Sequence, residues 1–130
     1  MADIGWIQEM VAVWNSHDGT KAAEYLAEDG CWQDVTPTGW RSLDRAAFAD
    51  AWSVELPAMS ADAHIEVERA VSDDNVFAFE WRWSGTHNAT GKNYEIHAAS
   101  VGQRRNGLIV AATDYWNPAH LAEQLGGQDD

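Results

Sequence analysis

The chain has 130 residues, 21 acidic against 8 Lys and Arg side chains for a formal net charge of −13, eight tryptophans and a single cysteine. That length makes one domain, which buries roughly two-thirds of its unfolded surface and needs no disulfide or structural metal to fold. The charge excludes nucleic acid and anionic membrane surfaces, both of which need clustered Lys and Arg, and a lone Cys31 excludes an internal disulfide and any multi-cysteine metal site. The acids are spread along the chain, which reads as a solvated surface. Cys31, beside Trp32 in an apolar stretch, reads as a small buried side chain. The start Met1-Ala2-Asp3-Ile4-Gly5 lacks a basic region followed by an apolar run, so no signal peptide is expected, and no apolar stretch is long enough to span a bilayer. A cytoplasmic protein is expected. Asn88-Ala89-Thr90 has the form of a glycosylation acceptor, but without an export signal it reads as chance.

No repeat or linker divides the chain, which reads as one domain over residues 1–125 with a frayed acidic tail over 126–130. Ile4, Ile7, Val11 and Trp14 recur at helical spacing, with Asp3 as N-cap. Asn15-Ser16-His17-Asp18-Gly19 breaks that helix. A second, short helix buries Ala22, Ala23, Tyr25 and Leu26 and ends near Asp29-Gly30. Cys31 to Val35 reads as a short strand closed by the turn Thr36-Pro37-Thr38-Gly39. A third helix starts after Ser42 as its cap, carries Phe48, Trp52 and Leu56 four apart, and is stopped by Pro57.

The period then changes from 3.6 to 2. Ile65, Val67 and Val71 alternate with Glu66, Glu68 and Ala70 up to a turn at Ser72-Asp73-Asp74-Asn75. In the next strand Phe77, Phe79, Trp81 and Trp83 share one face, and Ala78, Glu80, Arg82 and Ser84 share the other. A hairpin around Asn88-Ala89-Thr90-Gly91 leads into a strand from Lys92 to Gln103. The Asn-Gly of Arg104-Arg105-Asn106-Gly107 turns the chain into a last strand, Leu108 to Trp116. Pro118 to Leu125 is a short terminal helix.

Helices followed by long antiparallel strands make an α+β pattern, with about three helices on one face of a mostly antiparallel sheet. The Phe77-to-Trp83 stripe is larger than a flat core requires. Either these rings fill the core, or a strongly curved sheet wrapped around its helices leaves an internal pocket that they line.

The order of these pieces resembles the nuclear transport factor 2-like superfamily, and within it the SnoaL-like, polyketide cyclase-like group. Three stretches carry the resemblance: Trp14 to Gly19 with Leu26-Ala27-Glu28-Asp29, Gly85-Thr86-His87 with Thr90-Gly91-Lys92, and Asn106 to Val110 through Asp114-Tyr115-Trp116. The resemblance as a whole covers about residues 4 to 125. The resemblance implies a cone-shaped fold with one deep pocket at its wide end. It does not imply one activity, since the superfamily holds cyclases, ketosteroid isomerases, epoxide hydrolases, dehydratases and non-catalytic domains.

Two carboxylates stand where such proteins place functional groups. The resemblance puts Asp114 at the position of the cyclases' acid/base aspartate, and Asp34 at that of the isomerases' catalytic base. Asp34 also follows Trp32 by two residues and so shares its face of the strand. An acid facing indole rings is poorly solvated and holds its proton towards neutrality, and two such acids in one apolar cavity separate into an acid and a base. The plain alternative is structural: Asp34 capping the turn at Thr36 and Thr38, and Asp114 meeting an arginine across the sheet.

The better-known chemistries are each incomplete. The isomerase oxyanion positions fall on Met10 and Ser100, and the epoxide hydrolase Arg and Asp positions fall on Trp81 and Trp83. The histidine common near Ser100 in cyclases is here His97, on the opposite face of its strand. His17, His64, His87, His97 and His120 form no pair at metal-ligand spacing, so no metal is expected, and without a Gly-rich phosphate loop neither is a nucleotide or flavin cofactor. The resulting expectation is a homodimer through the outer face of the sheet, binding a hydrophobic aromatic or polycyclic ligand against Trp32, Trp81, Trp83, Ser100 and Trp116. Asp114 and Asp34 carry cofactor-free acid/base chemistry, with intramolecular aldol cyclisation first, isomerisation or dehydration second, and non-catalytic binding as the remaining alternative.

Overall fold

The computed structural model describes residues 4–126. The Asp3 cap and the tail from Gly127 onward lie outside the described residues. Helix α1 (Gly5–Asn15) buries Ile7, Met10, Val11 and Trp14, the spacing of an amphipathic helix laid on a core. Asn15 fastens its end to the sheet, donating to the Ile65 carbonyl at 2.9 Å and accepting the Ile65 N–H at 2.7 Å. His17 then takes a positive φ of 58°, and Asp18 caps α2 (Gly19–Ala23) by accepting the Lys21 N–H at 3.1 Å.

The second helix is shorter than its composition predicts, because strand β1 (Leu26–Thr36) begins at Leu26. Leu26 pairs with Ile109 of the last strand, and the Tyr25 carbonyl accepts the Ile109 N–H at 2.8 Å. Sheet pairing there overrides the helix-favouring Ala27-Glu28. Alternation along β1 turns Trp32 inward, so Cys31 is half-buried, not buried, and its thiol lies 3.4 Å from the Ser42 hydroxyl.

A strand that sequence patterning missed follows the Pro37-Thr38 turn: β2 (Gly39–Leu43), antiparallel to β1. Only its last residue, Leu43, is buried, so it carries no period-2 signal. The next helix is capped by Asp44, which accepts the Ala47 N–H at 2.8 Å, not by Ser42. It runs as α3 (Arg45–Asp50), a π-helical turn (Ala51–Glu55) and α4 (Leu56–Met59). Pro57 does not stop it: the helical backbone runs on through the π-helical turn into α4, with Pro57 in the first turn of that segment.

Strands β3 (His64–Ser72), β4 (Val76–Thr86), β5 (Asn93–Arg105) and β6 (Leu108–Tyr115) complete a six-stranded sheet, and α5 (Pro118–Gln124), capped by Asn117, closes the order. The strands run β2-β1-β6-β5-β4-β3, every pair antiparallel except β1–β6, and the sheet is not closed on itself. This is an α+β fold on a mixed, mostly antiparallel sheet. Phe77, Phe79, Trp81 and Trp83 are buried together on its inner face. One expected inward residue is reversed: a register shift between Val67 and Arg69 turns Val71 outward, 65% exposed. A bulge inserts one residue and so exchanges the faces beyond it.

Candidate active site

A cavity of about 280 Å³ lies between the inner sheet face and the helices. Six of the eight tryptophans line it: Trp14, Trp32, Trp52, Trp81, Trp83 and Trp116. Every element except α2 and β5 contributes a wall residue, so the cavity exists only once sheet and helices have met. The walls include four charged groups, Asp34, Arg41, Glu55 and Asp114.

Asp114 is placed by register. It stands opposite Ser100 in the β5–β6 ladder, and the buried Ser100 hydroxyl donates to Asp114 Oδ1 at 2.5 Å while accepting the Trp81 indole N–H at 2.9 Å. The relay is fully satisfied, since a hydroxyl has one proton to give and lone pairs to receive. The Trp32 indole N–H favours the ionised carboxyl without completing a hydrogen bond to it. Burial dominates these contacts and, with repulsion from Asp34, pushes Asp114 up to about 7 against the Ser100 and Trp32 donors.

Asp34 is placed by the β1–β2 hairpin and by the residue after β6. Trp116 donates its indole N–H to Asp34 Oδ1 at 3.0 Å, and Arg41 Nε lies 3.9 Å from Oδ2. Burial raises Asp34 above the ordinary aspartate value, opposed by Trp116 and Arg41. Asp114 meets Ser100, Trp32 and Asp34, not an arginine across the sheet; the carboxylate that faces an arginine across the sheet is Asp34, opposite Arg41.

Of the expected ligand-contacting residues, Trp32, Trp81, Trp83 and Trp116 line the cavity. Ser100 does not; it sits behind Asp114 at 0% exposure and orients it. His97 is on the outer face, 3.5 Å from both Glu68 and Glu95, as the strand alternation implied. Sequence reasoning missed Arg41 and Glu55, which meet at 2.9 Å, and the wall tryptophans Trp14 and Trp52. The helical spacing of those two was legible as a core stripe, but core and cavity wall share that pattern. Among the described residues, no group of three or more His, Cys, Asp or Glu is arranged to hold a metal ion, and no helix is long and apolar enough to cross a membrane.

The site can move protons in an apolar space. It has one carboxyl that titrates near neutrality, a second carboxylate to bias it, and flat rings to stack on a ligand.

Solved structures share this architecture at low identity. A hypothetical protein of Catenulispora acidiphila with a ketosteroid isomerase-like fold, crystallised with trimethylamine, is 18% identical, with 92% of this chain and 91% of that one covered at a TM-score of 0.81. IdmH of Streptomyces antibioticus, a candidate polyketide cyclase, is 22% identical over 92% of this chain and 95% of its own, with a TM-score of 0.79. AclR of Streptomyces galilaeus, a candidate hydroxylase, is 20% identical over 92% of both chains, with a TM-score of 0.77. No curated protein matches the sequence significantly. At such identities the structural likeness speaks for the fold alone. The sequence itself matches the SnoaL-like domain over residues 7–112, and the chain belongs to that family.

Proposed function

We propose that this protein is a small-molecule enzyme performing cofactor-free acid/base chemistry on a hydrophobic aromatic or polycyclic carbonyl substrate, with an intramolecular aldol ring closure of a polyketide-like compound as its reaction. The observation that carries the reading is Asp114, held by Ser100 in an indole-lined cavity and titrating near 7. A general acid/base works best when its value lies near the working pH. The Asp114 carboxylate takes a proton from the carbon next to a carbonyl. That carbon attacks a second carbonyl carbon of the same molecule, a C–C bond forms, and the C=O electron pair moves onto oxygen. The oxygen takes the proton back from Asp114, leaving enzyme and atom count unchanged. The same group returning the proton to a different carbon would give an isomerisation, the neighbouring chemistry of a ketosteroid isomerase-like site.

Asp114→Asn keeps the shape and removes the proton carrier. We expect turnover of a 1,3-dicarbonyl aromatic test compound to fall by about 10²–10⁴, with ligand quenching of tryptophan fluorescence retained. Unchanged turnover in that variant would end the acid/base reading.

A second reading, binding without turnover, has its own support. Indole faces with Asp34, Glu55 and Asp114 around them, only one of those charges being offset by Arg41, suit an organic ammonium ion, which draws on both ring quadrupoles and carboxylates. The trimethylamine complex of the Catenulispora protein is in keeping with such a ligand. Calorimetry with choline and its neutral isostere 3,3-dimethylbutan-1-ol separates the two readings: choline is favoured only if charge is recognised. The proposal also includes a homodimer through the outer sheet face, where Val71, Val101 and Tyr115 are exposed.

A further inference from the structure

Arg41 stands directly opposite Asp34 in the β1–β2 ladder, where side chains of paired residues meet. Its guanidinium is shared. Nε lies 3.9 Å from Asp34 Oδ2, and Nη2 donates to Glu55 Oε1 at 2.9 Å. All three groups line the cavity that holds Asp114. The groups acting on Asp34 are Arg41 from β2, Glu55 from the π-helical turn and Trp116 after β6, with the Val35 backbone on its own strand. Asp114 on β6 interacts with Asp34 in turn, and its other partners, Ser100 and Trp32, are not cations.

We propose that Arg41 is a positioning residue acting on Asp114 through Asp34: with the Trp116 indole N–H it favours the Asp34 carboxylate, and that carboxylate leaves Asp114 as the member of the pair that binds and releases the proton. The proposal rests on the acid/base reading of the site. Two carboxylates in one apolar cavity titrate as a pair, and their surroundings decide which of them keeps the proton. A guanidinium beside only one of them biases that choice in the same direction as the Trp116 indole N–H on the same carboxylate, and it stays charged at every working pH. Arg41 favours the ionised form of Asp34, and Asp34 disfavours the ionised form of Asp114. Glu55 works against Arg41 twice: its own charge disfavours the Asp34 carboxylate, and its hydrogen bond draws the guanidinium away.

Removal of Arg41 and removal of Glu55 therefore have opposite signs at Asp34, although both break the same bridge. A merely structural bridge would give one sign. The Trp116 indole N–H, bound to Asp34 Oδ1, reports the ionisation of Asp34 in the ligand-free protein. Its proton resonance, assigned by its loss in Trp116→Phe, is followed against pH by NMR. We expect Arg41→Met to move that titration to higher pH, Arg41→Lys to restore most of the wild-type position, and Glu55→Gln to move it to lower pH. Arg41 and Glu55 have side chains 42% and 45% exposed, so neither substitution opens the core. A Trp116 titration at the same pH in wild type and Arg41→Met overturns the proposal, as does movement in one direction for both Arg41→Met and Glu55→Gln. Failure of the Asp114→Asn turnover test would leave these titrations as they are, so the two readings fail separately.

Discussion

Asp114 carries a cost to stability that is tied to its chemistry. Its value is raised from 3.8 to about 7 on folding, chiefly by burial. Below pH 3.8 the group is protonated in both the folded and unfolded chain, and there is no penalty. As pH rises the unfolded chain loses this proton first, so the folded state loses stability progressively until about pH 7, above which the loss is constant. Asp114→Asn removes the ionisable proton. We expect its unfolding free energy to match wild type near pH 4 and to exceed it at pH 8, by on the order of 2 kcal/mol after allowance for partial exposure. Urea melts at the two pH values check this, and an equal effect at both would mean that burial of the charge is not the cause. The substitution expected to abolish turnover is thus expected to stabilise the protein, a trade familiar at sites where a charge is held in apolar surroundings.

At the level of elements, two local devices set the cavity walls. The β1–β2 hairpin delivers Asp34 and Arg41 as a facing pair, and the π-helical turn carries Trp52 and Glu55 to the cavity. That turn depends on close packing against α2, where the Gly19 N–H donates to Ser53 Oγ at 2.7 Å. A Cβ on Gly19 would overlap the Ala49 carbonyl and Ser53 Oγ. Because the first obstacle is backbone and cannot rotate away, Gly19→Ala should cost about 2 kcal/mol or more. It should also displace Trp52, which stacks on Trp14 at 4.8 Å. Thermal melts and near-ultraviolet circular dichroism measure both effects. A melting temperature equal to wild type would show that α2 yields easily.

For the whole molecule, the −13 charge and the exposed apolar groups act in opposite directions on assembly. Like charge keeps copies apart. Yet the outer sheet face presents Val101 at 49% and Tyr115 at 52% exposure, with Trp40 packed edge-on to Tyr115 at 5.7 Å. Contiguous apolar side chains on one sheet face are the usual mark of an interface. The proposed homodimer predicts a dimer in sedimentation at micromolar concentration, and a monomer for Val101→Glu with unchanged ligand quenching. A wild-type monomer removes the assembly proposal and leaves the cavity reading intact.

Periodicity was enough to read α1, the Phe77-to-Trp83 stripe of β4, the two long hairpins and the α+β class, because the physics that decides them is local. A residue's face follows from a period of 3.6 or 2, and a turn from an Asn-Gly. The resemblance to SnoaL-like proteins, carried by the order of those same pieces, singled out Asp34 and Asp114. Other features had no local signature. Leu26 is a strand residue because Ile109 pairs with it, β2 forms because β1 is its neighbour, and Val71 faces outward because of the bulge between Val67 and Arg69. The candidate site belongs partly to this second kind. Its acids could be named in advance, but the Arg41–Glu55 bridge and the role of Ser100 behind Asp114 depend on side chains from four separate elements meeting. Sequence alone determined which residues are aromatic and acidic and, within an unbroken stretch of one period, which of them share a face. Only the tertiary structure decided that six indoles enclose a space with two carboxylates beside it, since neither desolvation nor charge coupling exists until those elements pack.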